Sequence, residues 1–305
     1  MPPVHIKFGG YQPPSSVHNQ AAEVFGQELS MRLGKAVQFE LDGNIMNSGH
    51  KAADLFQLVE SGELTACYFS TSYLSTRIPE FALFDLPFVI DQREKAYALM
   101  DGPLGETLSE KVNHNTAYRL LGLWDNGFRH WSNKVRPIRK PEDCRGMRLR
   151  TLFSDLHTEA FKLLGFDPIP LDVKDLISHV NSGEIDAQEN PLTNLYNFGI
   201  HHHHRYLTLS CHFFGAAAFL CHQPSYQSWP SEFRQAFDES ADAATAKQRQ
   251  LAAAEDDDVM NKLISEDVEI VELTKNDRGE FKRILIPLVE AQRKRFGDSL
   301  FRHLS

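Results

Sequence analysis

Val4-His5-Ile6-Lys7-Phe8-Gly9-Gly10 alternates apolar and polar residues and then stops at two glycines. Period-two alternation closed by glycine is the pattern of a half-buried strand that ends in a turn. Downstream, Pro13-Pro14-Ser15-Ser16 precedes Ala21, Ala22, Phe25, Leu29 and Leu33, which recur on one helical face until Gly34. Val37, Phe39 and Leu41 alternate as a second strand. Leu55, Phe56 and Val59 mark a second helix ending at Gly62, and a third strand follows over 65–69. This β-α-β-α-β rhythm predicts a mostly parallel sheet with helices on its faces.

The rhythm recurs further along the chain. Strands are expected over 118–124 and 147–151, a helix over 155–164, and another over 173–181 with Leu176, Ile177 and Val180 inward. Two α/β units therefore stand in tandem. A third region differs, because no Gly or Pro occurs between Pro230 and Gly279. Phe233, Phe237, Ala241, Ala244 and Leu251 keep helical spacing there. A helix of about 30 residues would be about 45 Å long, longer than one small domain is wide. Its apolar face is Ala-rich without a sustained a/d repeat, so it is expected to bridge two domains. A strand over 268–273 and a helix through Ile284, Leu288, Ala291 and Arg295 close the chain.

Composition sets the outer limits. The 305 residues are 42 % hydrophobic and 24 % charged, which excludes disorder and leaves material for a sizeable core. A formal charge of −9 offers no basic face for nucleic acid or anionic lipid. The longest apolar run, from Phe213 to Cys221, is far short of the about 20 residues a membrane helix needs. The opening residues show no charged and apolar leader pattern. That fits either a cytoplasmic protein or the mature form of an exported one.

Chemistry-bearing residues are sparse. Cys67, Cys144, Cys211 and Cys221 fit neither a disulfide scaffold nor a common zinc spacing, and are expected as buried structural thiols. His201 to His204 invites a metal, but adjacent histidines on a helix point about 100° apart, so a solvated helix surface is expected. No Gly-x-Ser-x-Gly, His-Glu-x-x-His or phosphate-cradling glycine loop is present. Three polar residues at predicted strand ends remain: Arg129, Arg150, and Asn190 in Gln188-Glu189-Asn190-Pro191. Ligands of open α/β sheets bind beyond the carboxyl ends of strands, and a guanidinium offers a carboxylate two parallel donors. From the residues alone this is an α/β protein with a candidate anion site.

Several stretches together resemble the extracytoplasmic solute-binding proteins of tripartite ATP-independent periplasmic (TRAP) transporters, the DctP type. They are Phe8-Gly9-Gly10 with Ser15-Ser16; Ile78-Pro79-Glu80-Phe81 with Phe84-Asp85-Leu86-Pro87-Phe88; Gly127-Phe128-Arg129; Pro141-Glu142-Asp143-Cys144-Arg145-Gly146-Met147-Arg148-Leu149-Arg150; and Asp186-Ala187-Gln188-Glu189-Asn190-Pro191. The match covers nearly the whole chain in order, with Ala187 standing where relatives usually have Gly.

The resemblance implies a two-lobed periplasmic-binding-protein fold, class II-like, with hinge strands and a long interlobe helix. Lobe I would comprise 1–126 and 213–250, and lobe II 127–212 and 251–305, with the helix at about 230–265 spanning both. It implies no enzyme activity, no cofactor and no metal. The implied partners are a small organic acid (a dicarboxylate, a sugar acid, or an aryl or keto acid) and membrane permease subunits. It also implies a monomer, in mature form, in the periplasm. Arg150 would hold the ligand carboxylate bidentately, Arg129 would add a donor, and Asn190 would hydrogen-bond it. Tyr11, Ser70 and Val173 fall at positions that line the pocket in relatives. With the neighbours Tyr68 and Trp131, Tyr11 is expected to form an aromatic wall, unless these rings pack in lobe cores. Two alternatives remain: a ligand-sensing module for a signalling receptor, and a cleft enzyme using His130 or Asp172.

Overall fold

The first strand forms where its alternation places it, with Ile6 and Phe8 fully buried. The structure is a computed structural model that describes residues 2–304. Its strands in chain order are β1 (Val4–Gly9), β2 (Val37–Asp42), β3 (Ala66–Ser70), β4 (Tyr118–Asn133), β5 (Arg148–Thr151), β6 (Asp167–Pro170), β7 (Ala187–Pro191), β8 (Tyr206–His222) and β9 (Glu269–Glu272). The chain divides into two units. Unit 1 holds residues up to Thr71, Gly105–Asp125 and Ala216–Glu255. Unit 2 holds Ser72–Leu104, Asn126–Gly215 and the residues from Asp256 onward.

In unit 1, β1 pairs parallel with β2, from Val4↔Val37 to Gly9↔Asp42, and parallel with β3 at Phe8↔Ala66. The second half of β8 runs antiparallel to β3, from Ala66↔Cys221 to Ser70↔Ala217. The helix Val17–Leu33 begins where the Ser16 hydroxyl accepts the Asn19 N–H and ends at Gly34, whose φ of +53° suits glycine. Phe25 from that helix meets Phe219 and Phe237 edge-on, each at 5.1 Å between ring centroids. Offset and edge-on rings are the favoured aromatic arrangements, so this cluster adds to ordinary area burial. Gly10 is required by space: a Cβ there would stand 2.7 Å from the Gly43 carbonyl oxygen.

The helix Ser231–Ser265 is anchored in unit 1 by Gln248, which is fully buried. Its amide donates to the Asp125 carbonyl at 2.6 Å and accepts the Asp125 N–H at 2.8 Å. One amide side chain thus serves both backbone groups of a single β4 residue.

In unit 2, β7 runs antiparallel to β4 and parallel to β5, and β5 runs parallel to β6. The first half of β8 carries β9 in parallel, from Tyr206↔Glu269 to Leu209↔Glu272. The helices Asp155–Leu163 and Val173–Asn181 are N-capped by Ser154 and Asp172. An apolar core joins Leu176 and Val180 to Leu192, Leu195, Ile200, Val259 and Leu263.

Two expectations are corrected, on β4 and on the histidine run, and the observed units divide the chain differently from the expected lobes. The strand expected over 118–124 continues to Asn133, passing through Gly127 at φ +91° without ending. Ser72–Leu104, placed in lobe I from sequence, falls in unit 2. It is tied there by the Phe88 N–H donated to the His212 carbonyl and by Arg93 paired to Asp256 at 2.7 Å. The four consecutive histidines are not a solvated helix face, because His201 and His204 are buried and only His202 and His203 are exposed. All four cysteines are free thiols, three buried and Cys211 partly so. Burial pushes the thiols of Cys67, Cys144 and Cys221 up, which makes them poor nucleophiles.

Candidate functional site

Strand pairing brings Arg129, Arg150 and Asn190 onto three neighbouring strands of unit 2. Arg129 opposes Pro191 across β4 and β7, His130 opposes Asn190, and Arg150 pairs with Gln188 across β5 and β7. Because side chains alternate along a strand and paired residues share a face, the pleat sorts these groups. Arg129, Trp131, Glu189 and Thr151 point to one face. By register His130, Gln188, Asn190 and Arg150 take the other, although at the strand ends the long Arg129 side chain still reaches Asn190 Oδ1 at 3.3 Å.

That sorting decides the electrostatics. Arg129 lies beside Glu189, its Nε donating to Oε2 and its Nη2 to Oε1 at 2.8 Å. Nη2 also donates to the Glu189 carbonyl at 2.9 Å and to the Asn190 Oδ1 at 3.3 Å. Both charged side chains are buried, at 2 % and 0 % exposure. Burial alone would push the Glu189 carboxyl up, but the Arg129 guanidinium and His212 outweigh it and hold the group well below the usual carboxylate range. Arg129, which the resemblance implies as a second ligand donor, also has an internal carboxylate partner in Glu189.

Arg150 has no such partner. Its Nε and Nη2 both donate to the Leu171 carbonyl, at 2.9 and 2.7 Å, and the residue is 2 % exposed. Among the described residues no carboxylate pairs with it. A buried cation without an opposite charge is costly unless something else supplies one. Leu171 lies just before the helix Val173–Asn181, whose first residue is the half-buried Val173. The Asn190 amide donates to Gln188 Oε1 at 2.6 Å, so Gln188 and Arg129 between them fix its orientation.

Glu189 extends into a polar network that sequence reasoning missed. His212 Nε2 lies 3.5 Å from Oε2, and His157 Nδ1 lies 3.9 Å from Oε1. On its other side His157 Nε2 approaches Asp85 Oδ1 at 3.4 Å, and Asp85 accepts the Ser72 hydroxyl at 3.0 Å. Burial lowers the His212 imidazole to about 4 even though Glu189 works to raise it. The signal was present in two quoted stretches, Glu189 beside Asn190 and Asp85 between Phe84 and Leu86. What sequence lacked was the face each carboxylate takes.

The aromatic residues are divided between the units. In unit 1, Tyr68 is fully buried, stacked 5.6 Å from Trp124 and 5.0 Å from His18, with its hydroxyl donating to Asn19 Oδ1. Tyr11 packs at 5.5 Å from Tyr68 and edge-on to Phe69 at 5.1 Å, and Ser70 ends the same buried strand. In unit 2, Trp131 stacks on His212 at 4.8 Å and packs against Phe281 at 5.0 Å. Tyr68 and Trp131 are therefore each buried among other rings, Tyr68 in unit 1 and Trp131 in unit 2. The two candidate acid–base groups hold structural posts. His130 accepts the Cys211 N–H at 3.2 Å, and burial followed by His212 lowers it to about 3. Asp172 caps its helix by accepting the Lys174 N–H at 2.9 Å.

Residues 8–295 match the family described as bacterial extracellular solute-binding protein, family 7, or DctP. The 2,3-diketo-L-gulonate-binding periplasmic protein of Escherichia coli is 25 % identical over 282 residues, covering 92 % of this chain and 84 % of its own. The sugar acid binding protein of Advenella mimigardefordensis, solved with galactonate, superposes with a TM-score of 0.94 at 26 % identity, over 99 % of this chain and 96 % of its own. The TRAP periplasmic solute binding protein of Sulfurospirillum deleyianum, solved with succinate, gives a TM-score of 0.93 at 24 % identity, over 100 % and 99 %.

Proposed function

The chain belongs to family 7 of the bacterial extracellular solute-binding proteins, the DctP family, and we propose that it takes the carboxylate of its ligand on Arg150. It is a solute-binding protein of the TRAP type for small organic acids, working with membrane permease components, and not an enzyme. Among the described residues no helix is long and apolar enough to cross a membrane. The family acts outside the cytoplasm, and we place this chain in the periplasm, as a monomer.

The observation that carries the site assignment is the contrast between two buried arginines. Arg129 is neutralised by Glu189, whereas Arg150 meets only a carbonyl oxygen. An anionic ligand supplies the missing charge, and the guanidinium fork matches a carboxylate with two parallel donors. Arg129 and Asn190 act beside it, the former positioned by Glu189 and the latter by Gln188. Ser70, Val173 and Tyr11 remain candidates for shaping the rest of the ligand. Among acids, polyhydroxy sugar acids stand first, because the E. coli relative is named for one and the Advenella protein was solved with another.

Calorimetric titration with galactonate, glucuronate and succinate, beside the neutral galactitol, tests this reading. An acid should bind, and the neutral analogue should lose about 3–5 kcal/mol, the usual cost of leaving one partner of a buried pair unmatched. Arg150→Ala should abolish binding with the fold retained. An Arg150→Ala protein that binds the acid as tightly as the parent would overturn the assignment.

A further inference from the structure

Of the four consecutive histidines, His204 reaches the carboxylate site through Ser132 and Gln188, whereas His201 and His202 converge on an acidic residue far along the chain. His201 Nε2 lies 3.0 Å from Glu266 Oε2, and His202 Nδ1 lies 3.8 Å from the same oxygen. The three ligand-type atoms all fall within 4.8 Å of one another. We propose that His201, His202 and Glu266 form a site for a divalent transition-metal ion of the zinc class.

Three features of the surroundings support a cation there. Glu266 is oriented by the Tyr196 hydroxyl, which donates to Oε1 at 3.1 Å and leaves Oε2 turned toward both imidazoles. The His201 ring is held in place by stacking on Tyr196 at 4.6 Å with 10° between planes. Finally, both nitrogens of His201 face acceptors, since Nδ1 points at the Leu195 carbonyl at 3.5 Å and Nε2 at Glu266. A neutral imidazole has one N–H and cannot serve both. With the proton on Nδ1 toward Leu195, the Nε2 lone pair faces a carboxylate oxygen, which a metal ion between them resolves. A carbonyl fixing the far nitrogen of a ligating histidine is the usual outer-shell arrangement.

The dimensions fit. Zinc–ligand bonds of about 2.0–2.1 Å in a tetrahedron put ligand atoms about 3.3 Å apart, between the two observed separations. Two imidazoles and one carboxylate suit zinc or copper rather than calcium or magnesium, which prefer all-oxygen sets. His202 is 64 % exposed, so the ion has an open approach and a fourth position for water. The site would clip the short turn Ile200–His202 to the residue following the long helix Ser231–Ser265.

The test is titration of the chelator-stripped full chain with Zn2+ by calorimetry at pH 7, repeated with His202→Ala and Glu266→Gln. We expect one saturable site, weakened at least tenfold in each variant, with both variants keeping the parent circular dichroism spectrum. Mg2+ should not compete. Absence of Zn2+ binding by the parent overturns the proposal. So does a loss of less than tenfold in either variant, which would place the ion on other histidines.

Discussion

Glu189 holds Arg129 from the neighbouring strand, both side chains buried and joined by two side-chain donors and a backbone contact. The pairing exists because Trp131 opposes Glu189 in the β4–β7 register, which sets Arg129 and Glu189 diagonally on one face of the sheet. Arg150 occupies the other face and is left to Leu171. Two arginines of equal burial therefore have opposite energetic roles.

Glu189→Gln should destabilise the protein by about 3–5 kcal/mol, because it leaves the Arg129 guanidinium buried without a counter-charge. Denaturant unfolding of the ligand-free protein reads this directly. A variant whose midpoint equals that of the parent would show that the pair contributes no charge compensation.

Arg150→Met should do the reverse. It removes a cation that has no carboxylate partner, so the ligand-free variant should be at least as stable as the parent while binding no acid. Thermal melts with and without galactonate separate the two effects. The parent gains about 2.7 kcal/mol at a ligand concentration 100 times its dissociation constant, and the variant should gain nothing. A variant that melts well below the parent without ligand contradicts the reading of Arg150 as uncompensated.

Stability should fall on mild acidification. Burial lowers His18, His130 and His204 to about 3 and His212 to about 4, against about 6.5 in an unfolded chain. Below pH 6.5 the unfolded state binds protons that the folded state refuses, so each such histidine removes up to about 1.4 kcal/mol per pH unit until its folded value is reached. Glu189 acts lower still, since its depressed carboxyl keeps its contribution above about pH 4.3 and loses it only as acid approaches its folded value. Denaturant midpoints at pH 7.5, 6 and 5 should fall progressively, and His204→Asn should flatten the slope. A midpoint constant over that range would mean these rings are protonated in place.

How much of this was readable without coordinates follows from what local pattern encodes. The helix Val17–Leu33 was legible in full, since its cap, apolar stripe and terminal glycine all lie within the segment. So was the helix Ser231–Ser265, marked by a long stretch free of helix breakers. Arg150 and Asn190 could be singled out as polar residues at strand ends, and Glu189 stood printed between Gln188 and Asn190. The partnership of Glu189 with Arg129 could not be read, because it depends on antiparallel register across 60 positions of chain. The same holds for Tyr68 and Trp131, whose places in separate cores depend on which strands pair. His201 and His204 misled for a related reason: the chain at and just after the 3-10 turn Ile200–His202 packs both inward and leaves His202 and His203 exposed, and which of the four is covered is set by long-range packing.

Gln248 offers a last check, on the long helix itself. Its amide closes two hydrogen bonds on the Asp125 backbone, and the side chain is wholly buried, so shape and polarity can be separated. Gln248→Met keeps nearly the same volume and breaks both bonds. That should cost about 1–3 kcal/mol, the range for unmaking hydrogen bonds at a buried site. Gln248→Glu keeps an acceptor for the Asp125 N–H but sets a carboxylate oxygen against the Asp125 carbonyl, and should cost more than the methionine variant. Backbone hydrogen exchange at Asp125 supplies an independent readout, since its N–H should lose protection in Gln248→Met. If both variants unfold like the parent and Asp125 stays protected, Gln248 contributes nothing to holding the helix on β4, which leaves that role to apolar packing and to Arg249, whose guanidinium donates to the Leu123 carbonyl at 2.8 Å.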